Sequence, residues 1–121
     1  MAVGGGVGAL LRHVSAEVIG AGSSGIPWST LTVNVIGSLV LGVVLAHHES
    51  GRAAGWSRPL LAVGLCGGLT TFSAFVVEVD RLWWARSADV AISYLIVTVG
   101  VCVAAVVVGR HAMRRSRSAV R

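Results

Sequence analysis

Four long apolar stretches, separated by short polar connections, make up most of the 121-residue chain. They cover residues 2–20, 27–46, 57–84 and 88–109, and a basic tail follows at 110–121. A helix needs about 20 residues, rising ~1.5 Å each, to cross the ~30 Å hydrocarbon core of a bilayer. The pattern therefore predicts an all-α integral membrane protein, a single membrane domain with four transmembrane helices.

The first stretch is the least apolar of the four, because Arg12, His13 and Glu17 lie within it. It also contains glycines four residues apart, Gly4 and Gly8. This small-xxx-small spacing lets two helices approach closely. We therefore expect the first helix to pack tightly against a neighbour.

The third stretch is too long for one straight helix. Its roughly 28 residues would extend about 42 Å, well beyond the hydrocarbon core. Near its centre lies GLCGGLTTFSAF, residues 64–75, which interrupts the apolar run. Two half-helices joined by an unwound segment at 67–71 would fit the bilayer, and a single tilted helix is the alternative. Unwound backbone at this depth is tolerated only where it is buried in protein or lines a wet cavity.

Aromatic and basic residues mark the ends of the stretches. The four tryptophans, Trp28, Trp56, Trp83 and Trp84, all fall at predicted span ends, as in an aromatic belt. The membrane side with both termini carries the five tail arginines together with Arg52 and Arg58, whereas the opposite side carries only Arg81 and Arg86. This bias predicts cytoplasmic termini for a chain with a single orientation. Because the net charge of +5 comes largely from the tail, it does not indicate a nucleic-acid partner.

Polar side chains recur at helical spacing inside two of the stretches. Thr30, Asn34 and Ser38 form one stripe at intervals of four residues, and Tyr94 and Thr98 form a second. A polar group within a bilayer needs a partner or a function. Hydrogen bonding between helices would explain these residues, and so would the lining of a polar pathway.

The interrupted segment adds hydroxyls and aromatic rings to this set. Thr71 and Ser73 carry hydroxyl donors, and Phe72 and Phe75 share a helix face, where their ring edges have positive quadrupole character. Core packing is the alternative role for the rings. Neutral donors with few acidic groups suit an anion rather than a cation. Nothing matches a nucleophile with its base, a metal cage or a phosphate loop, so the sequence indicates no enzyme.

Three segments together resemble the CrcB/Fluc family of fluoride channels. They are GGGVGALLRH (4–13), TLTVNVIGSLVLG (30–42) and GLCGGLTTFSAF followed by Glu78. The likeness extends over the whole chain in length, number of spans and motif order. It implies an antiparallel, dual-topology dimer in a bacterial-type inner membrane, with fluoride pores at the interface that export fluoride passively from the cytoplasm.

The resemblance also implies roles for individual residues. The fluoride pathway would comprise Asn34, Thr71, Phe72, Ser73, Phe75, Tyr94 and Thr98, with Arg12 at its vestibule. The backbone carbonyls of Gly67 and Thr70 would hold a structural Na⁺ at the dimer centre. Ala74 departs from the family pattern, in which a threonine or serine is usual. No role is implied for Glu78.

Two other interpretations stay open. A proton-coupled small multidrug transporter also has four short spans, but it needs a carboxylate deep in the first span among aromatic residues. Glu17 lies toward the end of that span, which contains no Phe, Trp or Tyr. The second alternative is a non-conducting subunit that pairs with a paralogue, because the arginine bias is unusual for a chain that inserts in both orientations.

Overall fold

The computed structural model describes residues 2–19, 25–49, 51 and 58–118, and this part of the chain is helical with short connections. Its α-helices are α1 (Ala2–Ile19), α2 (Trp28–Glu49), α3 (Gly67–Leu69), α4 (Phe72–Ala85) and α5 (Ala88–Ser118). A wide π-helix, Arg58–Cys66, leads directly into the single turn of α3. The predicted all-α fold is confirmed, including the interruption near the centre of the third stretch.

Three helical stretches in the described residues are long and apolar enough to cross a membrane: Trp28–Glu49, Leu60–Ala85 and Ala88–Ser116. The chain is therefore a multi-pass membrane protein. The helix α1 does not meet the same criteria, and it contains the charged residues Arg12 and Glu17. A membrane crossing by α1 remains a prediction.

The interruption is narrower than predicted. The sequence predicts an unwound segment at 67–71, but Gly67–Leu69 remain helical and only Thr70 and Thr71 leave the helix. Thr70 has φ −76° and ψ 145°, and Thr71 has φ −140° and ψ 109°, so both are extended. The hydroxyl of Thr71 accepts a hydrogen bond from the N–H of Ala74 at 3.2 Å and thereby caps α4. Because a side-chain cap allows a new helix to start at once, only two residues separate α3 from α4.

The last helix is longer than the predicted span. The sequence predicts a span that ends at residue 109 and then a tail, but α5 continues to Ser118. Two arginines of this extension contact the end of α2: Arg110 Nη2 lies 2.5 Å from Glu49 Oε1, and Arg114 Nη2 lies 2.8 Å from Glu49 Oε2. These pairs align the extension with α2. Of the expected span-end markers, Trp56, Arg52 and Arg121 lie outside the described residues.

Glycines let the helices approach backbone to backbone. A Cβ placed on Gly8 of α1 would lie 2.6 Å from the nitrogen of Leu69, so α1 rests directly on α3. Between α2 and α5, a Cβ on Gly42 would meet the Val106 carbonyl oxygen, and one on Gly109 would lie 3.1 Å from the nitrogen of Val43. The tight packing expected of α1 is therefore present, and a second glycine contact joins α2 to α5.

Candidate functional site

A groove of about 420 Å³ runs between α2, α5 and the interrupted third stretch. Seven of the residues predicted as functional line it: Asn34, Gly67, Thr70, Thr71, Phe72, Phe75 and Thr98. The other three, Arg12, Ser73 and Tyr94, do not line it. None of the described residues that line the groove carries a charge. A groove of this kind offers a solute neutral dipoles and ring edges only.

Asn34 bridges α2 to the break between α3 and α4. Its Oδ1 accepts a hydrogen bond from the backbone N–H of Thr71 at 3.1 Å, and both residues are buried. Because a backbone N–H can only donate, the amide oxygen of Asn34 must face Thr71. The NH₂ group is therefore the end of this side chain that can donate to a solute in the groove.

The same break redirects two backbone N–H groups away from two carbonyls. In an unbroken α-helix, the N–H of Thr71 would bond the carbonyl of Gly67, and the N–H of Ala74 would bond that of Thr70. Instead, these N–H groups donate to Asn34 Oδ1 and to Thr71 Oγ1. The Gly67 and Thr70 carbonyls thus lose their helical donors. They are hard oxygen acceptors of the kind that suits an alkali or alkaline-earth cation.

The hydroxyl and N–H of Thr70 are directed elsewhere. Both donate to the carbonyl oxygen of Cys66, each at 2.8 Å. This pair of hydrogen bonds to one acceptor closes the end of α3 and fixes the orientation of the peptide that follows. The carbonyl of Thr70, rather than its hydroxyl, is therefore the group that is available to a ligand.

Three aromatic rings follow one another along α4 and α5. The ring centroids of Phe72 and Phe75 are 6.1 Å apart at an interplanar angle of 45°. Those of Phe75 and Tyr94 are 5.8 Å apart at 37°. Tilted rings of this kind expose edges rather than stacked faces. Phe75 is buried, whereas Phe72 is 80% exposed in the single chain and lies at the open side of the groove.

Tyr94 lies behind the groove, in a hydrogen-bonded group that joins three helices. Its hydroxyl donates to Glu78 Oε2 at 3.3 Å, and the hydroxyl of Thr30 donates to Glu78 Oε1 at 2.6 Å. The sequence singled out Thr30 and Tyr94 but assigned no role to Glu78. Its position three residues after Phe75, on the same face of α4, is the signal that could have connected it to the site.

Two buried side-chain polar atoms have no hydrogen-bond partner within the described part of the chain: Oγ1 of Thr98 and Nε of Arg12. Only the first belongs to a groove-lining residue, and a buried hydroxyl without a protein partner is available to a ligand. Ser73 is exposed, and its hydroxyl lies 3.2 Å from that of Thr71.

Two cysteines that were not among the residues predicted as functional, Cys66 and Cys102, also line the groove. Cys66 is buried, and Cys102 is partly exposed. Cys102 follows Thr98 by four residues on α5, and this spacing places both on one helix face.

Comparison with known proteins connects the chain to one family. The family model described as CrcB-like protein, Camphor Resistance (CrcB), matches residues 1–110. The Fluoride-specific ion channel FluC of Chelativorans sp. (strain BNC1) is 38% identical over 109 residues, which cover 88% of this chain and 87% of the relative. A protein of the same name in Thermus thermophilus is 41% identical over 95 residues, or 78% and 76% of the two chains. Fluoride-specific ion channel FluC 2 of Nocardia farcinica is 36% identical over 122 residues, covering 100% of this chain and 87% of the relative.

Proposed function

Since the chain belongs to the CrcB-like family, we propose that it is a fluoride-selective channel that lets fluoride leave the cytoplasm passively. The relatives' name, fluoride-specific ion channel, supports this function. The observation that carries it is the uncharged groove, in which Asn34 and Thr98 bring donor groups to the same space as the ring of Phe75. The chain acts as a membrane channel and not as an enzyme.

The chemistry of the groove suits this anion. Fluoride is small and strongly hydrated, so a pore that conducts it must replace water with close donors. An amide, hydroxyls and ring edges do so without the deep binding that a buried lysine or arginine would cause. A membrane potential of 100 mV is worth about 2.3 kcal/mol per unit charge, and it drives an anion out of a cell that is negative inside.

Individual residues take distinct roles in this pathway. The Asn34 amide and the Thr98 hydroxyl donate to the ion, and Phe72 and Phe75 face it with their ring edges. Thr71 and Ser73 form the hydroxyl pair at the start of α4. Tyr94 supports Phe75 from behind and continues the polar track. Arg12 lies at a vestibule, outside the groove lining.

A second copy of the chain, antiparallel to the first, completes the pore. Phe72 and Gly67 border the groove and are exposed in the single chain, as residues covered by a partner would be. The Gly67 and Thr70 carbonyls of two copies would supply four oxygens to one structural Na⁺ at the dimer centre. Their lost helical donors support this site. A paralogous subunit of opposite charge bias is the alternative partner, because the arginines at and beyond the span ends are distributed seven to two between the two sides of the membrane.

The dimer lies in the cell membrane, of the bacterial inner-membrane type. A chain with a single orientation has its termini in the cytoplasm, according to the arginine bias. Expression of this gene alone in a cell without fluoride channels separates the two kinds of dimer. Restored fluoride resistance supports a homodimer, and resistance that requires a second gene supports the paralogous pair.

Fluoride efflux from liposomes tests the function directly. Purified protein should release fluoride and not chloride, and Phe75→Ile should abolish the release because it removes a ring edge from the groove. Trp84→Ile is the matched control, since Trp84 is an exposed aromatic residue of the same helix that does not line the groove. Equal release of fluoride and chloride by the wild type would refute the selectivity.

The sodium proposal has its own measurement. The dimer should dissociate or lose thermal stability when Na⁺ is replaced by a large organic cation, and it should recover when Na⁺ is returned. Because the proposed ligands are backbone carbonyls, side-chain substitution cannot remove them, so ion replacement is the decisive variable. Equal stability in both solutions would contradict the site.

A further inference from the structure

A second cavity, of about 270 Å³, lies where α2 begins and α4 ends. Pro27 and Ser29 line it from the α2 side, and Glu78, Arg81 and Arg86 line it from the other side. Unlike the groove, this cavity is charged, with two guanidinium groups against one carboxylate. None of the proposed roles uses the two arginines.

The helix α4 contributes residues both to the groove and to this cavity. Phe72, Phe75, Glu78 and Arg81 follow one another at intervals of three residues, so each lies next to the one before it while the row winds around the helix. The first two line the groove and the last two line the cavity. Phe75 and Glu78, which are neighbours one turn apart, therefore place the groove and the cavity next to each other along α4.

The helix α2 also borders both the groove and the cavity. Ser29 lines the cavity, Thr30 donates to Glu78, and Asn34 lines the groove. The Glu78 carboxylate also accepts from Tyr94, whose ring contacts Phe75. The hydrogen-bonded group centred on Glu78 thus links the groove to the cavity.

Arg86 packs closely against the backbone that precedes α2. A Cβ on Gly25 would lie 3.0 Å from Arg86 Nη2 and 3.4 Å from its Nε. Gly25 has φ +68°, so the chain turns there in a conformation that glycine adopts without strain. This contact places the guanidinium group against the turn, at the wall of the cavity.

We propose that this cavity is the second mouth of the anion pathway, in which Arg81 and Arg86 concentrate small monovalent anions and offset the charge of Glu78. The inference rests on the proposed fluoride channel and extends it to a site at the opposite end of α4. Both arginines are exposed, so solvent screens their charge. They attract an anion from solution without holding it as a dry cationic site would.

Substitution of the arginines at two ionic strengths tests this mouth. The double variant Arg81→Gln/Arg86→Gln is measured in liposomes or planar bilayers, with an impermeant salt used to set the ionic strength. At about 10 mM, where the Debye length is ~30 Å, fluoride current should fall about three- to tenfold. At about 1 M, where it is ~3 Å, the current should be within about twofold of wild type.

Two further variants distinguish a local charge effect from a general one. Arg115→Gln removes one positive charge, against two in the double variant, from an exposed position near the end of α5 and should leave the current unchanged at both ionic strengths. Arg81→Lys/Arg86→Lys keeps the charge and should conduct like the wild type. Size-exclusion profiles verify that each variant is assembled.

The outcomes separate the mouth from the channel itself. Wild-type current in the double glutamine variant at low ionic strength would overturn the inference, and so would a loss that high salt does not recover. A loss that Arg115→Gln reproduces would show a general surface-charge effect and would also overturn it. If the wild type conducts no fluoride, the proposed function fails and the mouth fails with it.

Discussion

Asn34 combines a structural and a conductive role, and two substitutions separate them. Asn34→Asp keeps an oxygen acceptor for the N–H of Thr71 and therefore preserves the break between α3 and α4. It also removes the NH₂ donor and places a negative charge beside the groove. Two unit charges 4 Å apart repel by about 4 kcal/mol at an effective dielectric constant of ~20. Since about 1.4 kcal/mol corresponds to a factor of ten, fluoride conduction should fall about a thousandfold.

Asn34→Ala changes the structural role of the side chain rather than the charge near the groove. It adds no charge but leaves the buried N–H of Thr71 without its acceptor, at a cost of about 1–3 kcal/mol. The alanine variant should therefore be less stable than the aspartate variant, although both lose the amide donor. Thermal unfolding in detergent measures the difference in stability. Fluoride efflux from liposomes measures the loss of conduction, at about pH 8, where a carboxyl group is ordinarily ionised.

Two results would refute this reasoning. Fluoride efflux by Asn34→Asp within about tenfold of wild type would show that the anion does not pass near this side chain. Thermal stability of Asn34→Ala equal to that of the wild type would show that the hydrogen bond to Thr71 does not hold the break. The wild type, reconstituted in parallel, provides the reference for both measurements.

Glycine packing and the groove cysteines give two further predictions. Gly109→Ala should lower the stability of the protein by about 1–3 kcal/mol, because its methyl group would meet the backbone of Leu39. Gly100→Ala on the same helix is the control and should have little effect, since nothing lies within 4 Å of a Cβ at that position. Thermal unfolding compares the two variants, and equal unfolding midpoints would contradict the close contact. A small thiol reagent should inhibit fluoride efflux through Cys102, which is partly exposed in the groove, more than through the buried Cys66. Cys102→Ser should be resistant, and a variant that stays sensitive would place the reactive thiol elsewhere.

Local pattern was sufficient for the helices and for the presence of a break. Span length and apolarity depend on residues adjacent in sequence, which is why the predicted stretches match α2 and α5 closely at their first residues. The glycines and threonines of residues 64–75 weaken helix formation locally, so the interruption could also be predicted. The arginines after residue 109 indicated a tail, but helix propensity and the contacts to Glu49 carry α5 further.

The boundaries of the break and its chemistry depended on tertiary contacts. Whether Gly67 or Thr70 leaves the helix is decided by an acceptor on α2, the Asn34 side chain that bonds the N–H of Thr71. Local sequence does not report this contact, because Asn34 is 37 residues away from Thr71. The assignment of Glu78 likewise required Thr30, 48 residues away, to be placed beside it. A sequence pattern reports which residues share a helix face, but it does not report which face of another helix they meet.

The sequence alone determined that this chain is an all-α membrane protein with an interrupted third stretch and neutral polar stripes, because each of these depends on spacing within one helix. Only the tertiary structure brought Asn34 and Ser38 of one stripe and Thr98 of the other to one groove, directed the N–H donors of the Gly67 and Thr70 carbonyls elsewhere, and placed a charged cavity at the end of α4. The physical reason is that buried backbone and side-chain polar groups must find partners, and those partners lie on other helices.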